Sequence, residues 1–264
     1  MLPTVEFCGL NATRLIIGAN PFGGFSHQGQ ERNKEMLAYH TPDRIIETWG
    51  RAAAAGINTM ITNNESPNVV QAVKEYLAGG GGLQWIAQVN NRTAPSMFHA
   101  IDAVLEMGCK ALYFHGQRVE ELYTARDDKT LRSWIDRGHA AGIPAGVAGH
   151  APEAHAWVDG LDIVDFHAVC FFNCGSLHAG KGEKFHLSDV ARAVDMIRRI
   201  RKPCIGYKIM GAGRMDARMA FEYAFEQIKP SDVVNVGVHR ADKDDMVEEN
   251  VALVREILAG SAGK

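Results

Sequence analysis

Several features that mark specialised classes of protein are missing from this chain. Basic residues are not in excess: 28 lysines and arginines stand against 31 aspartates and glutamates, a net charge of -3. Such a balance leaves no spare charge to neutralise a phosphate backbone, so nucleic acid is not an expected partner. No apolar run reaches the roughly 18 residues of a membrane span, so no membrane partner is expected either. The opening MLPTVEFCGLNATRLIIGANPF lacks a basic segment followed by a long apolar stretch, so no secretory signal is expected and the location is read as cytoplasmic. Cysteine is sparse and scattered (Cys8, Cys109, Cys170, Cys174, Cys204), which fits reduced thiols rather than a disulfide framework. Linkers, low-complexity tracts and charge blocks are lacking too. One domain over residues 1–264 is the expectation, with oligomeric assembly left open.

What is present is a regular alternation. Eight short apolar runs read as strands: Arg14–Asn20, Asn58–Asn64, Gln84–Asn90, Ala111–Gly116, Pro144–His150, Ile163–Cys170, Cys204–Met210 and Val233–Val238. They are near-continuously apolar, as strands covered on both faces must be. Amphipathic segments with start signals lie between them. Thr41-Pro42 and Ser66-Pro67 each offer an N-cap followed by a proline at the first helical position. Ser188 and Asp242 are read as two further caps. Glycines at Gly56, Gly79 to Gly82, Gly108 and Gly142 stand where helices end. Strands alternating with helices imply right-handed βαβ units, and eight of them close into a single (β/α)8 barrel, a TIM barrel of class α/β. A doubly wound open sheet would need G-x-G-x-x-G after the first strand. The chain has ANPFGGF there.

Polar residues collect where strands end. Asn20 closes the first strand, and Asn63, Asn64 and Glu65 the second. Gln88 and Asn90 lie on the third, His115 and His150 end the fourth and fifth, and the sixth contains Asp165 and His167. Tyr207 and Lys208 sit on the seventh, and the eighth runs into His239-Arg240. Barrel chemistry sits at the C-terminal strand ends, and that many polar groups are costly to bury unless they pair or bind something. Three histidines on successive strands, His115, His150 and His167, form a candidate site for a divalent metal (Zn, Mn or Fe), because neutral imidazoles are good ligands for these ions. Without a metal, the same wall reads as hydrogen-bonding contacts to a hydroxyl-rich substrate.

Lys208, read as lying on a strand, is a candidate base or Schiff-base former; its structural alternative is an ion pair with Asp165 or Glu65. Gly211 to Arg214 follows the seventh strand, where loops with glycine N–H groups and an arginine often hold phosphate. Two long connections leave the same end, 21–40 and 171–187. Loops of that length in a compact domain act as lids or binding loops. They bring His27 and Asn173 to the list of substrate-binding candidates, which also holds Asn20, Asn64, Gln88, Asn90 and Arg214.

These segments together resemble a known family. RLIIGANPFGG is similar to the opening of an aldo-keto reductase, and GINTMITNNES to that family's second-strand segment. ALYFHG and GIPAGVAGHAPE resemble its fourth and fifth strands. KPCIGYKIMGAGR and VGVHRADKDDMVEENVALV resemble its seventh strand and closing segment, and the likeness spans almost the whole chain. The resemblance implies a barrel and a catalytic Asp, Tyr, Lys and His. Only the histidine is matched, by His115. The aspartate position falls on Ile61, the tyrosine on Ser66, and the lysine at or beside Val89. A reductase of that type needs the tyrosine as proton donor.

The sequence therefore predicts an enzyme on an aldo-keto-reductase-like barrel with altered chemistry. The expected activity is a metal-assisted lyase, isomerase or hydrolase acting on a small hydroxylated or keto-sugar-like compound. His115, His150 and His167 would hold the metal, with Glu65 or Lys208 moving a proton and His115 counted in the catalytic set. One alternative is an NAD(P)-dependent oxidoreductase whose cofactor meets Arg214, Arg240 and Asn250. Another is a non-catalytic sugar- or phosphate-binding barrel.

Overall fold

The structure, a computed structural model, describes residues 2–172 and 185–261. The chain opens on an antiparallel hairpin, β1 (Thr4–Phe7) and β2 (Leu10–Thr13), with Phe7 paired to Leu10. Its turn is Cys8-Gly9, both at positive φ (51° and 85°), the geometry whose twist suits a two-residue hairpin loop. The sequence reading missed this hairpin because cysteine is an unusual residue at a left-handed turn position.

Eight parallel strands follow: β3 (Leu15–Gly18), β4 (Thr59–Asn63), β5 (Gln84–Val89), β6 (Ala111–Phe114), β7 (Ala145–Gly149), β8 (Phe166–Cys170), β9 (Cys204–Tyr207) and β10 (Val233–Gly237). They close into a barrel in chain order, with β10 paired to β3. Each predicted strand has its counterpart, so the chain folds as the single (β/α)8 barrel expected. Among the described residues no helix is long and apolar enough to cross a membrane.

Among the described residues the helices are α1 (Gln30–Tyr39), α2 (Pro42–Ala55), α3 (Pro67–Ala78), α4 (Met97–Glu106), α5 (Gly116–Ala125), α6 (Asp128–Ala140), α7 (Pro152–Leu161), α8 (Leu187–Arg199), α9 (Ala217–Gln227) and α10 (Met246–Ser261). Thr41 caps α2 as predicted, accepting from the N–H of Arg44. Before α3 the capping atom differs. Asn63 Oδ1 accepts from the N–H groups of Glu65 and Ser66, at 2.9 and 2.8 Å, and the Ser66 hydroxyl makes no cap bond. Ser188 lies inside α8, whose N-cap is His186, and Asp242 lies four residues before α10.

Alternation along each strand separates two apolar layers. Leu15, Trp85, Leu112, Phe114 and Val147 face the helices, whereas Ile16, Ile61, Ile86, Tyr113, Phe166 and Ile205 fill the lumen. The hairpin closes the N-terminal end of the lumen. Phe7 is fully buried there, with its ring centroid 5.3 Å from that of Phe166. The lumen is thus sealed by apolar side chains at its N-terminal end.

Candidate active site

The period of two that seats Ile61, Ile86 and Val233 in the lumen also turns Asn63, Gln88 and Asn235 inward, one layer nearer the C-terminal mouth. Asn63, Gln88 and Tyr113 are in register across β4, β5 and β6, as Tyr207 and Asn235 are across β9 and β10. The Tyr113 hydroxyl donates to Gln88 Oε1 at 3.1 Å, and burial raises Tyr113 above the usual phenol range. The Tyr207 hydroxyl donates to the Gly149 carbonyl at 3.3 Å. Gly18 makes room for Asn235, since a Cβ there would lie 2.5 Å from Asn235 Oδ1. Asn63 Nδ2 and Asn235 Oδ1 are buried with no hydrogen-bond partner among the described residues. Groups of this kind call for a partner, whether water or a bound molecule.

Above that layer stands a wall formed by the exits of β7 and β9. Glu120 on α5 accepts from the N–H groups of His150 and Ala151, at 2.6 and 3.0 Å. The His150 Nδ1 lies 3.3 to 3.4 Å from the same carboxylate. Burial works to raise Glu120, but the bonds from His150 and Ala151 outweigh it and hold the carboxyl at about 2. Gly116 at the start of α5 lets the ring in, because a Cβ there would sit 3.1 Å from His150 Cε1. The ring centroids of His150 and Tyr207 are 6.4 Å apart, and Lys208 Nζ lies 5.2 Å from the Tyr207 ring. Imidazole, phenol and ammonium therefore adjoin on one side of the mouth, with the imidazole oriented by a carboxylate.

Other predicted residues serve the rim. Glu65 is paired with Arg92 at 2.9 and 2.5 Å, and its side chain is only 6% exposed. Asn64 ties β4 to β5, donating to the Asn90 carbonyl and accepting from the Asn90 N–H, each at 2.9 Å. Asn90 Oδ1 accepts from Arg118. His115 caps α5, its Nδ1 accepting from the N–H of Gln117 at 3.2 Å. Asn20 is exposed in the turn after β3. Arg214 donates to the carbonyls of Gly211 and His27 and stacks 3.9 Å from the centre of the Phe185 ring. Gln28 donates to the Ala212 carbonyl, so these contacts join the loop after β3 to the loop after β9. Asn173 lies outside the described residues.

Several expectations are corrected here. His115, His150 and His167 do not form one ligand set. His167 points out of the lumen into the helix layer, where its Nδ1 meets His155 Nδ1 at 3.0 Å. It occupies the alternate position to Phe166 and Ala168, which face inward. Lys208 is not on a strand. It follows β9 with φ 57°, half-buried, and is not paired with either predicted acid. Asp165 precedes β8 at the closed end, bonded to His139 and to the N–H of Ala145. Arg240 is taken up by Glu47, Thr48 and Asp244, and Asn250 is buried on α10.

The reading of strand ends missed Glu120, Arg92 and Tyr113. Glu120 and Arg92 lie on a helix and a loop, where no strand-end pattern flags them. Asn235 carried a visible signal, a lone amide in the apolar run VVNVG.

No family model and no curated protein matches the chain. Among solved structures, a protein assigned as an aldo-keto reductase from Pseudomonas aeruginosa shares 17% identity at a TM-score of 0.67, covering 97% of this chain and 94% of that one. The 3-hexulose-6-phosphate synthase of Salmonella typhimurium shares 15% identity at 0.58, covering 93% and 98%. The N-acetylmannosamine-6-phosphate 2-epimerase of Clostridium perfringens shares 14% at 0.57, covering 87% and 89%. Likeness at these identities is likeness of fold, and the chain is a barrel of the architecture that these proteins share.

Proposed function

We propose that this chain is an enzyme that moves a proton on a small hydroxylated or keto-sugar-like compound bound at the C-terminal end of the barrel, in an isomerase or lyase reaction. The observation that carries the reading is the His150–Glu120 pair beside Tyr207 and Lys208. A carboxylate that holds one imidazole nitrogen orients the other for acid–base work. Nε2 of His150 would take a proton from the carbon next to the substrate carbonyl. The Lys208 ammonium would stabilise the enediolate oxygen that forms; the proton would then return to the former carbonyl carbon, with the hydroxyl proton passing from its own oxygen to the former carbonyl oxygen, or would follow a leaving group from the next carbon. Asn63, Gln88 and Asn235 supply amide donors and acceptors for hydroxyls. His115 on the adjacent rim would polarise the carbonyl. The reading shifts the base from Glu65, which Arg92 engages, to His150. The names of two barrels of the same fold, a hexulose-phosphate synthase and a 2-epimerase, support a sugar-like substrate.

The test is incubation of the protein with a panel of aldoses, ketoses and their phosphates in D2O, followed by NMR. Deuterium should enter at the carbon next to the carbonyl of at least one member. His150→Asn should slow that exchange by about a hundredfold, within the usual range for loss of a general base. Exchange at an equal rate in His150→Asn, or ligand-induced stabilisation with no exchange or turnover, overturns the proposal; the latter outcome favours a binding barrel.

A further inference from the structure

A second group of ligand-type side chains converges away from the His150 wall. Glu35 lies on α1, in the connection after β3, while His239 and Asp242 lie in the turn after β10. Because β10 pairs with β3, the closed barrel brings these segments together at the C-terminal rim. One ligand atom from each residue lies within 4.8 Å of the other two.

The histidine separates this group from an ordinary acidic patch. His239 is 3% exposed, and its Nε2 is buried without a hydrogen-bond partner among the described residues, 3.7 Å from Glu35 Oε1. Its Nδ1 lies 2.9 Å from His40 Nε2, which fixes the plane of the ring. The Tyr39 ring packs edge-on against both imidazoles, with centroids 4.9 and 5.3 Å away. A metal-binding histidine characteristically has its far nitrogen held in this way by a second group. The two carboxylates, about half exposed, are spanned by Arg32, which donates to Glu35 at 2.7 Å and to Asp242.

We propose that Glu35, His239 and Asp242 form a rim site for a first-row divalent cation of the Zn2+ or Mn2+ kind, with Arg32 as its competitor. One imidazole and two carboxylates match the charge of such an ion, and three protein ligands leave a position open to water. Arg32, partly exposed, swings into solvent when the cation enters. The bound ion would tie α1 to the turn after β10. The site is independent of the chemistry proposed for His150.

Co2+ titration of tag-free, chelator-treated protein tests the proposal, read by visible absorption and by the melting temperature. A saturable one-to-one band with a raised melting temperature is expected. Arg32→Ala should bind about tenfold more tightly, by removal of the competing charge. Glu35→Gln and Asp242→Asn should each weaken binding by about tenfold or more. Both acids are surface residues, so their replacement does not threaten folding, and His239→Gln is the buried counterpart. The proposal is overturned if neither wild type nor Arg32→Ala gives a saturable band up to millimolar Co2+, or if binding persists unchanged in the Glu35→Gln, Asp242→Asn double variant.

Discussion

His155 of α7 and His167 of β8 are joined Nδ1 to Nδ1 at 3.0 Å in the layer between barrel and helices. The partners fix the tautomers. His155 Nε2 faces the Gly149 carbonyl at 3.3 Å and must carry a proton, so its Nδ1 accepts and His167 Nδ1 donates. His167 Nε2 is left as a buried acceptor with no partner among the described residues.

This pair predicts an acid-sensitive fold. Burial pushes His155 down to about 4, and burial together with His155 pushes His167 well below its usual value. Both rings bind a proton more readily when unfolded. Stability is therefore full above about pH 6.5 and falls as the pH drops toward 4, by ~1.4 kcal/mol per pH unit for each histidine. His40, pushed down to about 3 mainly by burial, adds to the same limb. Urea unfolding at pH 8, 7, 6 and 5 measures the slope. The His155→Leu, His167→Leu double variant should flatten it; an unchanged slope contradicts the assignment.

The seal at the closed end rests on Phe7. Phe7→Ala opens a cavity under Phe166 and should cost about 3–5 kcal/mol, the usual range for a buried phenylalanine. Its effect should appear as a fall in the denaturation midpoint. A loss below about 1 kcal/mol would mean that the hairpin is not part of the core.

Gly146→Ala tests the packing of the lumen. A Cβ at Gly146 would lie 2.7 Å from the Phe166 carbonyl oxygen and equally close to its ring. Backbone of a neighbouring barrel strand cannot withdraw easily, so a loss of about 1–3 kcal/mol or more is expected. Gly9→Ala is not an equivalent control, because Gly9 has positive φ; Gly50→Ala, with open space around its Cβ and an ordinary helical backbone, should be neutral or stabilising.

Arg240 separates a structural role from a nicotinamide role. Its guanidinium reaches Glu47 and Asp244 at 2.7 Å and Thr48 at 3.2 Å, and its side chain is 5% exposed. Arg240→Met should lower stability by about 1.5–3 kcal/mol, the worth of a hydrogen bond to a charged group. NADPH fluorescence should be unchanged on titration of either form. A cofactor signal that disappears in Arg240→Met would restore the oxidoreductase reading.

The sequence by itself determined the barrel. Continuous apolar runs require cover on both faces, and the capping signals at Thr41-Pro42 and Ser66-Pro67 place helices between them. These are local properties, carried by neighbouring residues. It also determined which end of the barrel would carry the candidate site, because Asn63, Gln88, His150 and Lys208 all stand at or near strand exits. Only the tertiary structure decided how those groups combine. His167 and His150 look alike in the sequence, yet His167 lies within β8, paired with Val147, at a position that turns it out toward His155, while His150 stands just past the end of β7 and meets Glu120. Glu35 and His239, about two hundred residues apart, become neighbours only because β10 closes against β3. Side-chain facing and ring closure are set by long-range pairing, which no short stretch of sequence contains.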